Sequence, residues 1–117
     1  MLKYALPQEN KELKISVEEF LKLYKEEKAI LLDVRMPFEK NVWEVKFAIK
    51  LSPNEIEENL DKLPKDKLIV TACPKNGRSP FVAAYLKEKG FNAKSLEEGL
   101  IGLMQFLKGA EAKKINQ

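Results

Sequence analysis

This sequence predicts an α/β fold, with a mostly parallel central sheet flanked by helices on both faces, and two observations carry that expectation. Residues 29–34 (Ala29, Ile30, Leu31, Leu32, Asp33, Val34) and 67–72 (Lys67, Leu68, Ile69, Val70, Thr71, Ala72) are short, nearly all apolar runs without polar alternation, as expected of strands covered on both faces. Around them lie segments with apolar residues at helical spacing, so strands and helices alternate along the chain.

Residues 1–13 read as a polar lead-in with Pro7 and few apolar anchors. Ser16 and Glu19 fit a capping box ahead of a helix in which Val17, Phe20, Leu21 and Tyr24 recur at helical spacing. The 29–34 strand comes next, and Met36-Pro37 ends it. Residues 38–44 are expected to hold a helical turn and 47–49 a brief strand. Pro53 opens a charged helix with Ile56, Leu60 and Leu63 on one face, which Pro64 stops. After the 67–72 strand and a short loop, residues 81–86 form a helix that closes at Gly90, a suitable residue just past a helix end. Residues 92–96 make an edge or late strand. Leu100, Leu103, Met104 and Leu107 then stripe a final helix; Met104, like Tyr85, is read as core. Residues 14–108 thus form one domain, and 109–117 a frayed tail.

With 117 residues the chain is large enough to bury about two-thirds of its unfolded surface in one core. Its 44% apolar and 33% charged content is that of an ordinary soluble globule. The net charge of +3 comes from basic residues interspersed with glutamates, so the charges read as a solvated surface and no nucleic-acid partner is expected. No apolar run approaches the roughly 20 residues that span a membrane, and the N-terminal residues lack the apolar stretch of a signal peptide. No membrane association is expected, and the expected setting is reducing and cytoplasmic, which suits a lone cysteine. The lack of histidine removes Cys–His and Ser–His catalytic pairs and imidazole metal sites. One cysteine leaves no CxxC pair, thiolate zinc site or internal disulfide, so neither metal nor cofactor is expected.

That cysteine, Cys73, opens the loop Cys73-Pro74-Lys75-Asn76-Gly77-Arg78-Ser79 between the 67–72 strand and the following helix. Ser79 is a natural helix N-cap and Pro80 suits the first helical position, where a missing N–H costs nothing. Turn N–H groups and the positive end of the helix dipole favour an anion, and the same field favours thiolate over thiol. In a parallel sheet, sites form at the carboxyl ends of strands, where Cys73 falls. Asn76 and Gly77 both tolerate positive φ and are read as shaping the loop backbone. Lys75 reads equally as a site cation or a solvated loop tip, and Arg78 as a site cation or a structural ion pair. Asp33 and Arg35 are read as structural support, an ion pair fixing the strand-end loop, with Glu39 a candidate partner for Arg35.

These segments resemble the single-domain rhodanese-like sulfurtransferases, over about residues 15–107. Residues 31–37 (Leu-Leu-Asp-Val-Arg-Met-Pro) resemble the family's L-I-D-V-R-x-P segment. Residues 73–79 resemble its active-site loop, which opens with the catalytic cysteine and closes with Arg-Ser. Residues 87–91 and 96–99 resemble its later K-E-x-G-F and L-E-G-G segments. The resemblance implies a rhodanese-like fold and a covalent, ping-pong mechanism in which Cys73 takes the outer sulfur of a donor such as thiosulfate. A thiol or cyanide acceptor then removes that sulfur from the persulfide. Backbone N–H groups of the residues after Pro74, through Ser79, would surround the sulfur, and Lys75 and Arg78 would neutralise the donor anion. The partners implied are a small anionic donor and a thiophilic acceptor, with a sulfur-accepting protein as one form of the latter.

Loop length bears on the chemistry. Phosphatases related to this family have one more residue between cysteine and arginine, because a phosphoryl group needs a wider cradle than one sulfur atom. Four residues separate Cys73 from Arg78, which favours sulfur. A phosphatase or arsenate reductase, and a catalytically silent binding module, are the alternatives. Two departures bear on the latter. Where the family has G-H-I-x-G-A, this chain has Trp43, Glu44, Val45, Lys46, Phe47 and Ala48, and Glu98 replaces the first glycine of E-G-G. Trp43 and Phe47 are read as filling core space rather than lining the pocket mouth.

Overall fold

The computed structural model describes residues 11–35, 47–73 and 79–115. Strand β1 (Lys14–Ile15) follows a 3-10 turn (Lys11–Leu13) and leads into helix α1 (Val17–Lys25). Strand β2 (Ala29–Asp33) is followed by β3 (Ile49–Lys50), two short 3-10 turns (Pro53–Glu55 and Glu57–Lys62) and β4 (Leu68–Ala72). Helix α2 (Ser79–Glu88), β5 (Ala93–Leu96) and helix α3 (Gly99–Ile115) complete the order. The five strands form one sheet in the order β1-β5-β4-β2-β3, with every adjacent pair parallel. The expected α/β architecture is the one observed.

Strand parity divides the core. Leu31, Val70, Ala72 and Leu96 face one cluster with Val17 and Phe20 of α1 and Leu100 and Leu103 of α3. Leu32, Ile69, Cys73 and Ala93 face the other, with Val82, Ala83 and Leu86 of α2 and Ile56 and Leu63 of the 3-10 turns. Because β2 and β4 bury side chains on both faces, neither shows the polar alternation of a half-exposed strand.

Several elements differ from the sequence expectation. Ser16 caps α1 as expected, its Oγ accepting the Glu19 N–H at 3.1 Å. The charged segment after Pro53 keeps Ile56 and Leu63 buried but is 3-10 rather than α. At Asn59 a local side-chain contact competes with helical geometry: its Nδ2 donates to the Glu55 carbonyl at 2.7 Å, the acceptor its own N–H would use in an α-helix. That N–H donates to the Ile56 carbonyl instead, and Asn59 leaves helical geometry at φ −119°. Lys14–Ile15, just after the lead-in, form a strand that the sequence did not mark, and Leu13 of the lead-in is buried with Ile15; β1 pairs with β5, which is therefore internal to the sheet. Helix α3 continues to Ile115, through residues expected to fray. Phe47 is 39% exposed and stacks on Tyr24 with ring centroids 4.9 Å apart, so it covers α1 and does not fill core. Tyr85 and Met104 are half-buried, not fully core. The helical turn expected at 38–44, and Trp43 with it, lie outside the described residues.

Candidate active site

Cys73 is the first residue after β4, buried on the α2 face among Leu32, Val34, Ile56 and Val82. Its carbonyl accepts the Leu100 N–H at 2.7 Å, which ties the cysteine backbone to the start of α3. Six residues later, α2 begins at Ser79. Pro74, Lys75, Asn76, Gly77 and Arg78 lie outside the described residues, as does Glu39. The two ends of the loop are thus placed, and both belong to the central strand and the helix that follows it.

At the far end, Ser79 is the first helical residue rather than the cap, one position later in the helix than expected. Pro80 stands second, where its missing N–H still belongs to the first turn's unpaired donors. The Ser79 side chain is fully buried, and its Oγ lies 2.7 Å from Ser95 Oγ of β5. Its carbonyl accepts the Thr71 hydroxyl of β4 at 2.8 Å. Thr71, Ser79 and Ser95 were not joined by the sequence reading. The usable signal was a threonine alone in an apolar strand, two residues before Cys73 and hence on the same face.

Asp33 and Arg35 form the expected ion pair, with Arg35 Nη2 donating to Asp33 Oδ2 at 2.7 Å. Arg35 Nε donates to both carboxylate oxygens at 3.1 Å, and the Arg35 backbone N–H also reaches Oδ1. Both residues are buried. The register sets Asp33 beside Ala72, so this pair stands on the strand next to Cys73 at the same end of the sheet. A fork-to-carboxylate pair of this kind holds its two side chains in one geometry, which braces the chain leaving β2.

The glutamate that replaces a glycine also has a structural account. Glu98 Oε1 accepts the Val17 N–H at 3.2 Å, placing a carboxylate at the N-terminus of α1, where the helix dipole favours it. Gly99 next to it takes φ +68°, which a glycine adopts without strain. Gly102 leaves the room that the Glu98 side chain occupies, because a Cβ there would meet Glu98 Cβ. A cavity of about 250 Å³ lies along α2, lined by Pro53, Asn54, Ile56, Glu57, Phe81, Val82 and Tyr85.

The family model of the Rhodanese-like domain matches residues 16–104. A Bacillus subtilis (strain 168) protein named "Putative sulfurtransferase YtwF" is 32% identical over 80 residues, which are 68% of this chain and 78% of that protein. The crystal structure of a rhodanese-related protein from Thermoplasma volcanium superposes with a TM-score of 0.70 at 25% identity, over 79% of this chain and 90% of that one. The human single-domain sulfurtransferase TSTD1 shares the fold, with a TM-score of 0.70 at 18% identity over 80% of this chain and 96% of that one. The matched family model covers most of this parallel-sheet domain, and the chain belongs to the rhodanese-like domain family, among whose members stand sulfurtransferases.

Proposed function

We propose that this protein is a sulfurtransferase that moves a sulfane sulfur from a donor such as thiosulfate to a thiophilic acceptor through a persulfide on Cys73. The supporting observation is the placement of Cys73 at the carboxyl end of the central strand, six residues before the N-terminus of α2. There, loop N–H groups and the helix dipole favour an anion. In the first half-reaction the Cys73 thiolate attacks the outer sulfur of thiosulfate. A Cys73 S–S bond forms, the donor S–S bond breaks, and sulfite leaves with the electron pair. In the second, an acceptor thiolate or cyanide attacks the outer persulfide sulfur and the Cys73 thiolate departs. No net oxidant or reductant is needed in either step.

In this reading Lys75 and Arg78 neutralise the donor, and the N–H groups from Lys75 to Ser79 surround the transferred sulfur. Asp33 and Arg35 hold the neighbouring strand end and do not touch substrate. Cys73 is the one cysteine of the sequence, so the sulfur passes to an external acceptor, a small thiol or a protein, in a reducing cytoplasmic setting. The four residues between Cys73 and Arg78 support sulfur over phosphoryl or arsenate transfer.

Intact-mass spectrometry after thiosulfate treatment checks the proposal. Wild type is expected to gain one sulfur, removable by reductant, and Cys73→Ser to gain none. Identical spectra for the two proteins would overturn it, and turnover of an aryl phosphate or arsenate by unloaded wild type would favour the alternative enzyme class.

A further inference from the structure

The loop that begins at Cys73 is held at both ends, and at the Ser79 end two hydroxyls do the holding. Thr71 and Cys73 lie on the same face of the β4 chain, two residues apart. Thr71 Oγ1 is 2.8 Å from the Ser79 carbonyl and 3.4 Å from that of Lys94, and its single proton belongs to the shorter contact. The Ser79 carbonyl has a second lone pair, so it can serve the helix and accept from Thr71 together. Ser95 Oγ completes the group at 2.7 Å from Ser79 Oγ. All three residues are fully buried, in an otherwise apolar layer beneath α2.

We infer that Thr71 is a positioning residue for the active-site loop: its hydroxyl joins the first residue of α2 to the strand that delivers Cys73, and so sets the distance the loop must span. The inference rests on the sulfurtransferase reading for its catalytic consequence, but not for the clamp itself. Cys73 is fixed from the other side by the Leu100 N–H on its carbonyl. With both ends fixed, the separation between Cys73 and the start of α2 is set. Without the Thr71 bond, the start of α2 loses its hydroxyl tie to β4, and displacements of about 1 Å at a reacting centre cost on the order of a hundredfold in rate.

The test compares Thr71→Val, which keeps the shape and deletes the hydroxyl, with Thr71→Ser, which keeps the hydroxyl. The limiting rate of sulfur loading at saturating thiosulfate is expected to fall on the order of tenfold or more in Thr71→Val and to recover most of that loss in Thr71→Ser. Loading at the wild-type rate by folded Thr71→Val, or failure of Thr71→Ser to recover, overturns the inference. Deuterium uptake in peptides spanning 73–83 gives a readout that needs no sulfur transfer. Uptake is expected to rise in Thr71→Val but not in Thr71→Ser, and unchanged uptake overturns the clamp. Should wild type itself take no sulfur, the functional proposal fails while the exchange comparison still decides the clamp. If Thr71→Val does not fold, Thr71→Ala deletes the same hydroxyl with a smaller side chain. It is then expected to slow loading and raise uptake, and wild-type behaviour in both overturns the inference.

Discussion

The hydroxyl of Tyr85 is buried and lacks a hydrogen-bond partner among the described residues, although Lys89 Nζ sits 5.5 Å from its ring centroid. A buried hydroxyl that gave up water and found nothing in exchange carries the full desolvation cost, about 1–3 kcal/mol. Tyr85→Phe removes the oxygen and keeps the ring against the core, so stability is expected to rise by about 1 kcal/mol. Thermal or urea unfolding reads this directly, and a loss of stability would show that the hydroxyl has a partner. The helical stripe was enough to turn Tyr85 toward the core from sequence. The orphaned oxygen was not legible, because whether a tip meets a partner depends on neighbours remote in the chain. The same holds for Ser79, whose contacts with Thr71 and Ser95 span 8 and 16 residues.

Among the elements, the turn into α3 shows how a local rule can reverse. Gly102 lies inside this helix, where glycine to alanine ordinarily gains about 0.5–1 kcal/mol. Here the new Cβ would meet Glu98 Cβ, close to a stiff backbone rather than at the free end of a side chain. Gly102→Ala is therefore expected to lower stability, and the same change made beside Glu98→Gly to raise it. A double-mutant cycle by denaturant unfolding measures the reversal, and additive effects of the two changes would refute it. Glu98 and Gly102 thus form a matched pair. The carboxylate serves the first turn of α1, 81 residues away in sequence, and the glycine makes space for it. Sequence alone marked Glu98 as a departure from the family pattern, and only the packing of α1 against the β5–α3 turn supplied its use.

For the whole molecule, β1 shows that the sheet extends beyond the family match. The matched residues begin at Ser16, one position after β1, yet Leu13 and Ile15 are each only 2% exposed. Burial of each such side chain contributes about 1.5–3 kcal/mol, a large part of the roughly 5–15 kcal/mol by which domains are stable. A chain cut to begin at Ser16 also leaves β5 with an unpaired edge. It is expected to lose about 3–6 kcal/mol of stability, read as a fall in the urea midpoint or as loss of cooperative unfolding. An unchanged midpoint would mean that β1 adds nothing to the core. Among the described residues, no helix is long and apolar enough to cross a membrane.

Periodicity along the chain was sufficient to determine the α/β class, the strands β2 and β4, the three helices and the placing of Cys73 at the end of β4. These follow from short-range physics, since apolar runs, caps and breakers act within a few residues of one another. Tertiary structure alone decided the two-residue strand at Lys14–Ile15 and the hydrogen bonds that hold Cys73 and Ser79 in place. Such features have too few residues to show a period. Their energy comes from partners that meet only after the sheet has assembled and water has left its faces.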